Sequence, residues 1–389
     1  MSPMPGRNPY RPGVGLTPVY LAGRSDELRR FRSMLRSAPE IPANVRVTGL
    51  RGVGKTVLLG EYEMIAAEEG WVTEMLELEH RHDTAEVMVD TVSALCERLR
   101  RQISRSARIR RKVGKAVEQV AKLEIGFDDV RLSFDPSADD DDIALAETIY
   151  ATVATAVGHG KLGVILMFDE AQVLEDPASL SVLVAAVSTL QRSAVPVCLV
   201  VCGLPSLAAR LLRARTYTER MFRGENVGSL DGEAARQALI RPLDGTGVTI
   251  ADDLVDAVMR RIGGYPYFVQ LWGAELWDAA DQADVQHLSR DLLAVVEPDI
   301  TRRLDTDFYE PRVRLLTPAE QDVLIATGTC PYPPIVVADV IAASPKSTGN
   351  INVLMGRIAA AGVLYRVRRG EYDYTAPGFH TFLQRRATR

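Results

Sequence analysis

The chain has 389 residues, 47% apolar and 25% charged, with a formal net charge of −5. That composition suits two or three globular domains of roughly 150 residues each and excludes a mostly disordered chain. No run reaches the ~18 apolar residues that span a bilayer. Residues 1–15 lack the apolar centre of a secretory signal, and four cysteines (Cys96, Cys198, Cys202, Cys330) without a CxxC pair exclude a disulfide scaffold. The expected compartment is therefore a reducing, cytoplasmic one.

In chain order, residues 1–19 read as an extended arm, because Pro3, Pro5, Pro9, Pro12 and Pro18 each oppose a helix. Ser25 is placed to cap a helix in which Leu28, Phe31 and Leu35 recur at helical spacing. A strand at 45–48 runs into a glycine-rich turn, a helix from 55 to about 69 and a second strand at 71–75. Residues 84–122 have a helical pattern. Within them, 97–115 carries nine Lys or Arg against Glu97. That segment is either a basic surface for nucleic acid, an acidic partner or lipid headgroups, or a solvated insertion balanced by Asp139 to Asp142. Residues 123–127 and 130–134 alternate apolar and polar around Asp128-Asp129, a β-hairpin pattern. The four acids at 139–142 suit the start of the next helix, whose dipole they complement. Continuous apolar runs at 164–168 and 195–201, separated by helices, predict a parallel sheet covered on both faces. From 231 to about 280 the pattern is helical.

Residues 312–389 predict a winged helix-turn-helix. Thr317-Pro318-Ala319-Glu320 combines a capping hydroxyl, a first-turn proline and a capping-box acid. A second helix covers 336–343. A third covers 348–361, with Ile351, Leu354, Ile358 and Ala361 on one face and Ser347, Thr348, Asn350, Asn352 and Arg357 on the other. A hairpin turns at Arg369-Gly370. The segment holds ten Lys or Arg against five Asp or Glu, a mild excess suited to a polyanion.

The strongest chemical signal is Gly49-Leu50-Arg51-Gly52-Val53-Gly54-Lys55-Thr56, followed by Val57, between a strand and a helix. Its glycines let backbone N–H groups turn inward around phosphate oxygens, and the helix that follows offers its positive end. Lys55 would bridge the β- and γ-phosphates and Thr56 would place its hydroxyl on Mg²⁺. About 110 residues later an apolar strand ends in Asp169-Glu170. Asp169 is suited to hold the metal through its water shell, and Glu170 to orient and deprotonate the attacking water.

These motifs resemble AAA+ and STAND-type P-loop ATPases, and are similar to bacterial and archaeal ATPases of the Orc1/Cdc6 kind. Leu21-Ala22-Gly23-Arg24-Ser25-Asp26-Glu27-Leu28 is similar to the segment that precedes the core in that group. By that resemblance Pro18, Val19, Tyr20 and Leu21 wall the adenine. Thr216 to Arg223 falls where the family carries an arginine finger, which makes Arg220, with Arg223 second, the residue that would reach a neighbouring subunit's nucleotide. Gly263-Gly264-Tyr265-Pro266 resembles a STAND lid motif, in which Pro266 lies near the base. Where the family often places a polar γ-phosphate sensor, only Cys202 stands before Gly203-Leu204-Pro205.

The resemblance implies an α/β P-loop NTPase, a parallel sheet between helices, with a helical lid and a C-terminal winged helix-turn-helix. The expected boundaries are an arm at 1–19, a core at 20–230 with an insertion at about 97–142, a lid at 231–311 and the winged helix at 312–389. The implied activity is Mg²⁺-dependent ATP hydrolysis coupled to movement of lid and tail, with DNA contact through 347–369 and self-association through Arg220. The alternative is a DNA-binding initiator or regulator in which nucleotide only holds the fold. No Asn-Lys-x-Asp guanine-reading segment occurs in the chain. His80 and His82 lack the further ligands of a closed zinc site.

Overall fold

Apolar strands need cover on both faces, and a computed structural model, which describes residues 6–13, 15–113 and 139–387, supplies it. The expected hairpin at 123–134 and the end of the helical pattern at 114–122 lie outside the described residues. The chain divides into two units.

The first unit takes Arg24–Gly49 and Lys55–Val227. In order it contains α1 (Ser25–Arg36), β1 (Val45–Gly49), α2 (Lys55–Glu68), β2 (Val72–Glu77), α3 (Ala85–Val113), α4 (Asp140–Gly158), β3 (Val164–Asp169), α5 (Pro177–Arg192), β4 (Val197–Gly203), α6 (Leu207–Ala214), α7 (Thr218–Met221) and β5 (Arg223–Val227). The strands form one parallel sheet in the order β2-β3-β4-β1-β5. Every residue of β3 and β4 is buried, as continuous apolar strands flanked by helices require, and each buried aliphatic side chain contributes about 1.5–3 kcal/mol.

Register brings Glu77 beside Asp169, and Thr48 beside Gly203, so these strand ends lie along one edge of the sheet. Asn44 fixes the opposite edge. Buried at 1% exposure, its amide exchanges hydrogen bonds with Gln191 at 2.9 Å, its Oδ1 accepts from Leu199 N at 2.8 Å, and its carbonyl accepts from Arg223 N at 2.9 Å.

Asp139 caps α4 as expected, its Oδ1 accepting from Asp142 N at 2.9 Å. Ser25 does not cap α1. The helix takes its first carbonyl from Arg24, which receives Leu28 N at 3.1 Å, so Ser25 already lies inside the first turn.

The second unit gathers the described residues up to Gly23, Leu50–Gly54, and those from Gly228 on. It contains α8 (Gly232–Ile240), β6 (Thr249–Ile250), α9 (Asp252–Ile262), α10 (Pro266–Gln282), β7 (His287–Leu288), α11 (Asp291–Arg303), α12 (Glu310–Arg314), α13 (Pro318–Thr327), β8 (Ile335–Val336), α14 (Val337–Ala343), α15 (Thr348–Ala360), β9 (Leu364–Arg368), β10 (Glu371–Tyr374) and α16 (Phe379–Ala387). The helical pattern at 231–280 resolves into three helices: Gly263 takes a left-handed φ of 53° to end α9, and Pro266 opens α10. A π turn, Leu304–Tyr309, joins α11 to α12 without a break.

The arm packs against this unit. Tyr10 is buried, donates its hydroxyl to the Leu239 carbonyl and rests on Gly273, while Asn8 Nδ2 donates to Ala274 O at 3.1 Å and Asp278 Oδ1 at 2.8 Å.

The C-terminal elements follow the predicted order of helices and hairpin. Thr317 and Glu320 form the expected capping box. Strands β8, β10 and β9 make one antiparallel sheet in that order. Ile351, Leu354 and Ile358 are buried, but Ala361 is exposed, because α15 stops at Ala360 and Ala361 lies beyond its last turn. Strand β8 and helix α16 are additional to the sequence pattern. No helix among the described residues is long and apolar enough to cross a membrane.

Candidate nucleotide site

At the sheet edge of the first unit, β1 ends at Gly49, α2 begins at Lys55, β3 ends at Asp169 and β4 ends at Gly203. Lys55 and Asp169 are both buried. Thr56 Oγ1 donates to Asp169 Oδ2 at 2.7 Å, which brings together two motifs 113 residues apart. Val57 follows, half-buried, in the first turn of α2.

Glu170 departs from regular backbone. Its φ of 54° and ψ of 28° are left-handed, a conformation that costs about 1–3 kcal/mol outside glycine and clusters at functional sites. Its N–H donates to Asp169 Oδ1 at 2.8 Å, and its side chain accepts from Gln172 Nε2. Gln172, buried in the short turn Ala171–Val173, also accepts from Leu204 N at 2.8 Å through Oε1.

Cys202 is fully buried beside Asp169. Burial first, and then that carboxylate, push its thiol far above the ordinary range, so it stays protonated. It is a weak donor. The oxygen donors Thr56 and Asp169 fit Mg²⁺, which keeps much of its own water and needs few protein ligands. No cluster of three or more His, Cys, Asp or Glu suited to a metal occurs among the described residues.

In the second unit, Gly52 and Gly54 have φ of 78° and 89°, open to glycine and strained for other residues. Leu50 is half-buried and Val53 buried. Tyr265 donates its hydroxyl to the Arg51 carbonyl, and its ring lies so close to Gly52 that a Cβ there would come within 2.5 Å of the hydroxyl oxygen. Burial pushes the Tyr265 hydroxyl up to about 12. Arg312 hydrogen-bonds Tyr265, lies 3.7 Å from the centre of the Phe308 ring, and is lowered from the ordinary arginine range by burial and by the like charge of Arg51.

The sequence pattern singles out Pro266 here but misses Tyr265 and Arg312. The aromatic between a glycine pair and a proline was the available signal; nothing marks Arg312. Pro266 itself is half-buried at the first turn of α10. Tyr20 lies beneath the Arg241 guanidinium at 5.7 Å, and Leu21 is half-buried.

Arg220 is exposed at the end of α7 and makes no ion pair among the described residues, whereas Arg223 pairs with Glu225 at 3.2 Å. His82 is buried, its Nδ1 accepting from Glu79 N at 2.9 Å, which gives it a capping role. In the basic segment, Leu99 and Ile103 are buried and Arg98 pairs with Glu74. On α15, Thr348, Asn350, Asn352 and Arg357 are exposed, as is Ser347 before it. On the hairpin, Arg368 pairs with Glu371 at 2.6 Å and Arg366 bonds the Tyr372 hydroxyl at 3.0 Å, while Arg369 makes no ion pair among the described residues.

Residues 20–201 match the family model of the AAA ATPase domain. This segment is similar to an AAA ATPase domain. Residues 306–383 match a second family model, Domain of unknown function (DUF8462). No curated protein matches the chain in sequence. Solved structures share its fold, among them the following two. The Walker-type ATPase of Pyrococcus abyssi is 16% identical, with a TM-score of 0.56, over 94% of this chain and 96% of that one. The Aeropyrum pernix ORC2 protein in ADPNP–ADP complexes is 13% identical, with a TM-score of 0.58, over 97% and 95%. The matched segment includes the strand ends that carry Thr56 and Asp169.

Proposed function

We propose that the chain is a Mg²⁺-dependent ATP-binding and ATP-hydrolysing switch, AAA+ or STAND-like, whose turnover moves the helices and winged-helix elements of the second unit. The observation that carries this reading is the 2.7 Å contact of Thr56 Oγ1 with Asp169 Oδ2 beside buried Lys55. The backbone N–H groups of 49–56 bind the phosphates, and Lys55 neutralises the β- and γ-oxygens. Thr56 and, through water, Asp169 would hold Mg²⁺, which would supply positive charge where the transferring phosphoryl group develops negative charge. Glu170 orients a water in line with the γ-phosphorus and takes its proton. Tyr20, Leu21 and Pro266 line the adenine, and Arg220 reaches the nucleotide of a second copy.

The exposed polar face of α15 supports DNA as the target of the second unit, since Asn and Arg can read base edges. The rival reading, a DNA-binding initiator with structural nucleotide, gains support from Cys202 at the sensor position. Single-turnover hydrolysis separates the two. Glu170→Gln should bind nucleotide normally and hydrolyse it at least tenfold more slowly; a rate equal to the parent's rejects Glu170 as base, and negligible turnover in the parent favours the rival.

A further inference from the structure

The Gln172 side chain connects two parts of the sheet edge. Its Nε2 donates to Glu170, and its Oε1 accepts from Leu204 N at 2.8 Å, just beyond β4. The amide orientation is settled by its partners: a backbone N–H needs an acceptor and a carboxylate needs a donor. Room for it depends on residue 203, because a Cβ on Gly203 would stand 2.4 Å from Gln172 Oε1. Glu170 meanwhile sits on left-handed backbone, which alone does not fix where its carboxylate lies.

We propose that Gln172 is the positioning residue for Glu170, holding one carboxylate oxygen toward the end of β4 and leaving the other to receive the proton of the attacking water. The proposal rests on the assignment of Glu170 as the base. It gives β4 a route to that base that bypasses Cys202: a shift of Gly203-Leu204 moves the Gln172 amide, and the amide moves Glu170. Gln172 acts on the reaction only through Glu170.

Two variants separate the halves of the link. Gln172→Glu keeps an acceptor for Leu204 N but cannot donate to Glu170. Gln172→Met keeps the length and removes both bonds. In the full-length protein, each should lower kcat by about ten- to a hundredfold, the scale of a misplaced catalytic group, with KM and the affinity for a fluorescent ATP analogue unchanged. In a Glu170→Gln background, neither should cause a further loss. A parental kcat in the folded variants, a rise in KM matching the fall in kcat, or a further loss in the Glu170→Gln background would each overturn the role of Gln172. An unslowed Glu170→Gln single variant instead strikes the base assignment beneath it. Gly203→Ala provides an approach from the opposite side and should reproduce the kcat loss by displacing the amide.

Discussion

Thr56 and Asp169 touch, and the hydroxyl and carboxylate that meet are the hard oxygen donors that Mg²⁺ takes. Fluorescent-nucleotide titrations with Mg²⁺ and with EDTA should therefore show tighter binding with the metal in the parent protein. Asp169→Asn should shrink that difference, and Lys55→Ala should weaken binding by at least tenfold under both conditions; equal metal dependence in Asp169→Asn would count against the assignment. Lys55, Thr56, Asp169 and Glu170 are legible in the sequence because glycine spacing and strand ends mark them locally. Gln172 and Tyr265 are not, since their significance lies in what approaches from elsewhere: Leu204 in one case and the Arg51 carbonyl in the other.

At the scale of elements, α1 and α2 are joined by charge. Glu69 receives Arg36 and Arg32, both at 2.8 Å, and these bonds, Arg36 foremost, hold its carboxyl below the usual range. A depressed folded-state value means that the stabilisation is complete above the unfolded carboxylate range and is lost as pH falls through the folded one. Glu69→Gln should thus lower the melting temperature slightly near pH 7, and the gap to the parent should close in acid; a gap that widens there would refute the assignment. Asn44 is the stiffer joint. Asn44→Ala leaves Leu199 N and the Gln191 amide without their partner, and should cost about 1–3 kcal/mol in denaturant unfolding. Continuous apolar runs revealed β3 and β4 readily. The two-residue β8 is too short to establish a period, and Ser25 looked like a cap because a serine before a helix is the commoner arrangement.

At the scale of the whole molecule, the uneven charge of the sequence has a test. If α15 and the hairpin meet DNA, affinity of the full chain should fall steeply with salt. Arg369→Glu should weaken it evenly across sequences, whereas Asn350→Ala should relax discrimination among them; salt-independent binding would exclude phosphate contacts. Arg220, exposed and without an ion pair among the described residues, yields a parallel expectation. Arg220→Ala should slow turnover at protein concentrations where sedimentation shows association and leave dilute protein unaffected.

The join between α11 and α12 has a consequence of its own. A π turn accommodates one residue more than the helix it interrupts, so 304–309 takes up a surplus residue locally. Were that residue wound into an unbroken α-helix instead, everything after it would rotate by about 100°. The Tyr309 ring would leave Phe379 and Phe382, which it meets at 5.1 and 5.2 Å. Arg312 would swing away from Tyr265. The wider turn thus keeps the bearing of both side chains, and tightening it without losing a residue would disturb far more than its length suggests.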